Sequence, residues 1–237
     1  MSSDKPSKER PILFKGQMVR ALLDGTKTQT RRIMKFQPYD GAEVICEEFH
    51  PTVIDRRGEE QPGEPVFGAW WADGDNALRC PYGAPGDRLW VRETFAKIDG
   101  QTQPWIETDY RASYTDGDRL GDRLGIKKRW TPAIHMPRVA SRIALEVSGV
   151  RVERLQEISE ADAVAEGLSM DVGQGARQND LDIRRAKTEE FRPLGCASAV
   201  DAYRALWESI NGADSWNANP WVWVLTLKKV SETPTKS

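Results

Sequence analysis

A lysine and a threonine three residues apart, followed by two arginines, carry the first chemistry in this chain. Lys27, Thr30, Arg31 and Arg32 belong to Thr26-Lys27-Thr28-Gln29-Thr30-Arg31-Arg32, a run in which every side chain can hydrogen-bond. A hydroxyl becomes a nucleophile only when a base removes its proton, and a lysine desolvated at the mouth of a barrel has its pKa lowered enough to serve. Across a turn the two side chains can meet. The same spacing also describes Thr28 and Thr30 as ordinary strand residues, with Lys27, Arg31 and Arg32 as a solvated face. Glu166 is the second candidate. It falls in the last turn of an expected helix, where the negative end of the macrodipole raises its pKa and calls for a cation, Lys27 or Arg32. Left exposed, it would cost only roughly a few tenths of a kcal/mol.

Arg88, Trp90, Arg92 and Glu93 form the next group. On one strand face Trp90 can stack a base while Arg92 pairs with Glu93 or a phosphate, as aromatic platforms and basic grooves do in single-strand binders. A core tryptophan beside a structural ion pair fits the pattern equally well. Trp70, Trp71, Trp221 and Trp223 read as core or lid packing. His135 before Met136-Pro137 reads as a turn residue, and Lys127-Lys128-Arg129 with Trp130 as a solvated loop.

Composition narrows the classes. With 34 Lys and Arg against 36 Asp and Glu, the net charge of −2 provides no bulk field for long nucleic acid, so such contacts must be local. Cys46, Cys80 and Cys196 are too few and too far apart for a disulfide framework and read as free, mostly buried thiols of a reducing compartment. Two isolated histidines and no paired cysteines leave no metal-ligand spacing, so no metal is expected. No GxGxxG or P-loop occurs, so no cofactor is expected either. The first residues lack an apolar signal region and no stretch is apolar enough to span a membrane, so the expected location is cytoplasmic with no membrane partner.

The elements that must position these residues can be read from periodicity. Met18, Val19, Leu22 and Leu23 have helical spacing, and Gly25 sits where a left-handed C-cap belongs. A strand follows from Thr26. Residues 37–85 are rich in Gly, Pro and acids and read as an insertion, a cover or lid bearing a short hairpin near Val66 to Trp71. Gly83-Ala84-Pro85-Gly86-Asp87 is a turn that launches a strand over Arg88 to Phe95. Another strand is expected over Tyr110 to Tyr114, and a charged loop over 117–129. Alternation from Val139 to Val147, resuming at Val150 and Val152, predicts a long strand bent at Gly149. Ser159 with Asp162 opens a helix with an Ala161, Val164, Ala165, Leu168 stripe, closed near Gly167. Residues 170–199 form a second long loop, Val200, Tyr203, Trp207 and Ile210 a third helix, and Trp221 to Val230 the closing strand. This pattern predicts one α+β domain over 11–230 with tails at 1–10 and 231–237. Its expected form is a small, partly closed β-barrel with short helices at its rim and two long loop insertions.

Three motifs in order carry a resemblance. Gly25-Thr26-Lys27-Thr28-Gln29-Thr30-Arg31-Arg32 follows a short helix, Pro85-Gly86-Asp87-Arg88-Leu89-Trp90-Val91-Arg92-Glu93 opens a strand, and Leu155-Gln156-Glu157-Ile158 leads into the Glu166 helix. The chain thereby resembles the ASCH domain family of the PUA-like superfold, in the long form common in bacteriophages and prophages. The resemblance implies a PUA-like barrel whose cleft admits a nucleobase or short single-stranded RNA. One bacterial branch removes the acetyl group of N4-acetylcytidine with a Lys, a Thr and a Glu, which fall here on Lys27, Thr30 and Glu166. Two chemistries then remain open: Thr30 as a nucleophile activated by Lys27, or water attacking with Lys27 and Glu166 as the acid–base pair and Thr30 positioning it. Arg32 or a backbone N–H would hold the oxyanion, with Trp90 and Arg92 against the base. The implied function is an amidohydrolase acting on an acylated pyrimidine nucleoside. The alternatives are an RNA- or modified-base-binding module, a ribonuclease of phage origin, or a phage accessory factor with a protein partner.

Overall fold

The structure, a computed structural model, describes residues 7–72, 76–97, 108–114, 129–168 and 198–230. In chain order the strands and helices are β1 (Glu9–Leu13), α1 (Gly16–Leu23), β2 (Gln29–Ile33), β3 (Val44–Phe49), β4 (Thr52–Ile54), β5 (Glu60–Pro62), β6 (Val66–Trp71), β7 (Ala77–Arg79), β8 (Arg88–Arg92), β9 (Phe95–Lys97), β10 (Thr108–Tyr110), β11 (Ala144–Arg154), α2 (Glu160–Ala165), α3 (Ala199–Asn211) and β12 (Trp221–Val230). The fold is α+β, mostly strands with few helices. Residues 117–128, 169–197 and 231–237 of the expected loops and tail, and Cys196, lie outside the described residues.

The main sheet has the order β1-β8-β11-β12-β2, with β1 and β8 parallel and the other pairs antiparallel. It does not close into a barrel. β1 and β2 are its two edges, yet Arg32 Nη2 on β2 donates to the Leu13 carbonyl at the end of β1 at 2.6 Å, so the sheet curls until its edges are one side chain apart. Ile12, Leu89, Val91, Leu145, Val147, Leu225 and Leu227 fill the inside of the curl, with Phe14, Val19 and Leu22 from β1's end and α1. Curling is eased at the Val147/Gly149 register shift, the bend that the interrupted alternation predicts.

β12 is buried on both faces. Val222 and Val224 pack under α2 and α3, while Trp223 faces a second sheet, which explains a strand apolar at nearly every position rather than at alternate ones. That second sheet, β3-β6-β7, comes from the 37–85 insertion, which also holds the β4-β5 hairpin. It is more ordered than its Gly- and Pro-rich composition indicates. Ala69, Trp71 and Cys80 pack on Trp223, Val150 and Val152, so the insertion is a second layer of the core. Cys46 and Cys80 carry free thiols, pushed up to about 12 and about 11 by burial.

Several boundaries differ from the sequence reading. The tail expected over 1–10 is ordered at its end: β1, a strand that the sequence reading does not predict, starts at Glu9, because Lys8 N–H and Arg10 both bind the Asp87 carboxylate and tie the segment to β8. The strand expected over Tyr110 to Tyr114 is instead the end of β10 followed by a 3-10 turn, Arg111–Ser113. The long strand starts at Ala144 rather than Val139, since Pro132 and Pro137 each lead into a 3-10 turn and leave Val139 exposed. α2 buries Ala163; of the expected stripe Leu168 is buried just beyond the helix and Ala165 half-buried, whereas Ala161 and Val164 face out. Among the described residues no helix is long and apolar enough to cross a membrane.

Trp223 is 1% exposed and joins the two sheets. Trp223→Ala is expected to lower the unfolding free energy by about 3–5 kcal/mol. Urea unfolding followed by far-UV circular dichroism measures this, and a loss well below that range would mean that the second sheet does not pack as described.

Candidate functional site

The segment between α1 and β2 is clamped from two sides. Gly25 takes a left-handed φ of 77° after α1, and Lys27 N–H bonds the Ala21 carbonyl at 3.0 Å. Thr28 donates its N–H to the Ala165 carbonyl at the end of α2 (2.8 Å) and accepts from Leu227 N–H on β12 (2.7 Å). Lys27 and Glu166 therefore meet in an isolated antiparallel bridge. Gly167 makes the approach feasible: its φ is 90°, and a Cβ there would lie 2.8 Å from the Ala21 Cβ and 2.9 Å from the Lys27 Cβ.

The side chains follow the backbones together. Lys27 Nζ donates to Glu166 Oε2 at 2.6 Å and to the Glu166 carbonyl at 2.8 Å, and both residues are 3% exposed. Burial pushes the Lys27 amine below its usual range, with the Glu166 carboxylate pulling the other way. The other carboxylate oxygen, Oε1, accepts from Arg31 Nη1 at 3.3 Å. Arg31 also binds Glu153 Oε1 through Nε (3.0 Å) and Nη2 (2.7 Å), and Asp162 Oδ2 at 3.1 Å. Arg151 closes the ring onto the same two acids. Lys27, Arg31 and Arg151 thus face Glu153, Asp162 and Glu166, a neutral set.

Spacing offers Arg31 only as part of a solvated face, because alternation sends it outward once Thr30 points in. Both are buried here, since α2 and α3 cover the second face of β2. A sequence signal did exist: Asp162 and Glu166 stand four apart at one side of α2, a repulsive pair that calls for a cation between them.

Thr30, Arg31, Arg32, Ile33 and Glu166 line a pocket of about 70 Å³ together with Met18 and, from α3, Tyr203, Leu206, Trp207, Ile210 and Asn211. No lining residue comes from 37–85, so that insertion is no lid over this pocket. The pocket lies along an open sheet edge. Leu227 N–H bonds the Thr28 carbonyl and Met34 N–H the Trp221 carbonyl, and the antiparallel alternation then leaves the backbone groups of Arg31 and Ile33 on the free side. No hydrogen bond joins the Thr30 hydroxyl to Lys27 or Glu166. Arg32 lies over the Phe14 ring at 5.0 Å and has no ion pair among the described residues. Its Nε and the Trp207 Nε1 are buried without hydrogen-bond partners.

Trp90 and Arg92 lie apart from this pocket. Trp90 is 8% exposed, and the Arg92 guanidinium sits 4.6 Å from its ring centroid, occupying one face. Glu93 pairs with Arg142 at 2.8 and 3.0 Å rather than with Arg92, because the strand alternation turns neighbours to opposite faces. Burial raises the Glu93 pKa, with Arg142 opposing. Among the described residues no group of His, Cys, Asp and Glu is arranged to hold a metal ion.

Neither a family model, nor a curated protein, nor a solved structure matches the chain.

Removing one partner of a buried pair strands the other charge. Glu166→Gln is expected to cost about 3 kcal/mol or more, and the double variant Lys27→Met/Glu166→Gln less than the sum of its single changes. Urea unfolding of the four proteins forms the cycle; additive losses would mean that the two groups do not interact.

Proposed function

We propose that this chain is an amidohydrolase-like protein of the ASCH type. It would hydrolyse the exocyclic amide of an acylated pyrimidine nucleoside such as N4-acetylcytidine, free or within short single-stranded RNA in the cytoplasm. The observation that carries this reading is the burial of the Lys27–Glu166 pair beside a pocket whose wall includes Thr30 and Glu166. The Arg32 contact between the edge strands supports the finer fold reading, a PUA-like and partly closed barrel whose unsealed seam is the cleft.

Of the two routes open to a Lys, a Thr and a Glu, attack by water is favoured. Lys27 Nζ is engaged by Glu166 and makes no hydrogen bond to Thr30, and Lys27 does not line the pocket whereas Thr30 and Glu166 do. Water held by the Thr30 hydroxyl attacks the amide carbonyl carbon as Glu166 takes its proton. The carbonyl oxygen gains charge against Arg32 or the free Arg31 and Ile33 N–H groups. The proton then passes to the exocyclic nitrogen as the C–N bond breaks, giving the free amine and a carboxylate. Lys27 and Arg31 hold the Glu166 carboxylate in place through one oxygen each.

The active pair holds one proton between Lys27 and Glu166, so the rate profile is bell-shaped with values that belong to the pair. The alkaline limb marks loss of that proton. Since burial lowers the Lys27 pKa, this limb falls below 10.5. Lys27→Ala is a poor probe because it leaves Glu166 buried beside a void. Thr30→Val is nearly isosteric and is expected to lower kcat/KM at least about tenfold with the fold intact. Turnover of acylated cytidines, followed by chromatography with a circular dichroism control, tests the proposal. A wild type inactive across a panel of such substrates, or a fully active Thr30→Val, overturns it.

A further inference from the structure

The pocket holds more hydrogen-bond donors than the chain uses. Trp207 is 4% exposed, and its indole N–H is buried with no partner, as is Arg32 Nε. Tyr203, 3% exposed, lines the same wall, and its hydroxyl makes no hydrogen bond among the described residues. Buried donors are ordinarily paired, because an unpaired one forfeits roughly 1–3 kcal/mol of hydration. Charge points the same way. Lys27, Arg31 and Arg151 are balanced by Glu153, Asp162 and Glu166, which leaves Arg32 without an ion-pair partner among the described residues on the pocket wall. The pocket carboxylate Glu166 has one oxygen on Lys27 and the other on Arg31. Beyond the donors the wall is apolar: Met18, Ile33, Leu206 and Ile210.

We infer that Arg32, Tyr203 and Trp207 form a carboxylate-binding subsite that takes a short aliphatic monocarboxylate. The inference deepens the amidohydrolase reading and rests on it for its biological meaning, because the acid released from an acyl amide is such a carboxylate. The anion's two oxygens accept from the guanidinium, the indole N–H and the phenol, while the alkyl chain lies along Leu206 and Ile210. Size limits the chain. At roughly 10–15 Å³ per water-sized group, a pocket of about 70 Å³ accepts about five to seven such groups. Acetate, propionate and butyrate fit within that limit, whereas hexanoate and an entire pyrimidine ring exceed it. The base of an acylated nucleoside therefore stays at the mouth, beside the exposed Ile33 and Ile210.

The test reads the indole N–H of Trp207 directly, in two-dimensional nitrogen–proton spectra of the full chain with assigned tryptophan signals. Acetate, propionate, butyrate and hexanoate are titrated in turn, with sodium chloride as the ionic-strength control. The expected result is a saturable shift of the Trp207 signal with propionate and butyrate, and weaker binding of hexanoate. Tyr203→Phe, which removes only the hydroxyl, is expected to raise the Kd about three- to tenfold, and Arg32→Met at least about tenfold. The other indole signals report whether each variant keeps its fold. A Trp207 signal that follows chloride as well as carboxylate overturns the inference, as does an unchanged Kd in Tyr203→Phe. Turnover of N4-acetylcytidine without carboxylate binding sinks the subsite and leaves the amidohydrolase reading standing. Saturable binding without turnover does the reverse.

Discussion

Taking the Lys27 ammonium and the Glu166 carboxylate out of water costs several kcal/mol per ion, and the attraction between them repays this only with good geometry and further hydrogen bonds. Both conditions are met here by backbone. The bridge between the α1–β2 segment and the end of α2 brings the two Cα atoms together, and the Glu166 carbonyl gives Nζ a second acceptor. The arrangement also answers the helix end: a carboxylate at the C-cap of α2 faces the negative pole, and the ammonium beside it offsets both charges. Everything that fixes this bridge is consequently fixed by it, including the turn at Gly25, the close approach at Gly167 and the docking of α2 on the sheet.

Beside this pair the sheet stays open. Hydrogen bonding of β1 to β2 would close the curl and remove the groove along β2. Instead Phe14 enters the seam and carries cations near its ring, Lys27 at 5.7 Å and Arg32 at 5.0 Å. Arg32 then reaches the Leu13 carbonyl, a contact that holds the edges near one another without zipping them. An open strand edge ordinarily invites pairing with another chain. On β2 that hazard is blunted by α3 above the groove and by a fixed positive charge within it.

Local signals in the sequence carried over well and long-range ones did not. Glycines at 25 and 149 and the Ser159 cap depend on a few neighbouring residues, and the turn, the strand bend and the helix start are where those residues put them. Lys27 and Glu166 are 139 positions apart, and they are linked in advance only by the helix end that calls for a cation, Lys27 or Arg32, and by the ASCH resemblance. Arg31 was hidden by strict alternation, which assumes one solvated face, whereas an edge strand covered by helices has none. The β3-β6-β7 sheet beyond the hairpin expected near Val66 to Trp71 was hidden by composition, since Glu47, Glu48 and Gly68 dilute strands whose apolar residues meet only after folding. Glu93 took Arg142 instead of its neighbour Arg92 for a geometric reason: adjacent strand residues point to opposite faces.

Polar satisfaction separates structure from function in this molecule. Around Arg31 every charged group is paired at least once, and Asp162 and Glu153 each serve two cations. Such a network specifies one arrangement of β2, β11 and α2 and leaves little for a ligand to gain. On the wall of the neighbouring pocket the pattern reverses, and Arg32 and Trp207 keep buried N–H groups with nothing to bond. Folding energy alone would favour filling that space with apolar side chains, because unpaired donors destabilise the folded state and an extra cation adds repulsion. A pocket held rigid by a saturated network on one side and left unsaturated on the other is the expected result when the missing partner is a molecule that arrives after folding and leaves again.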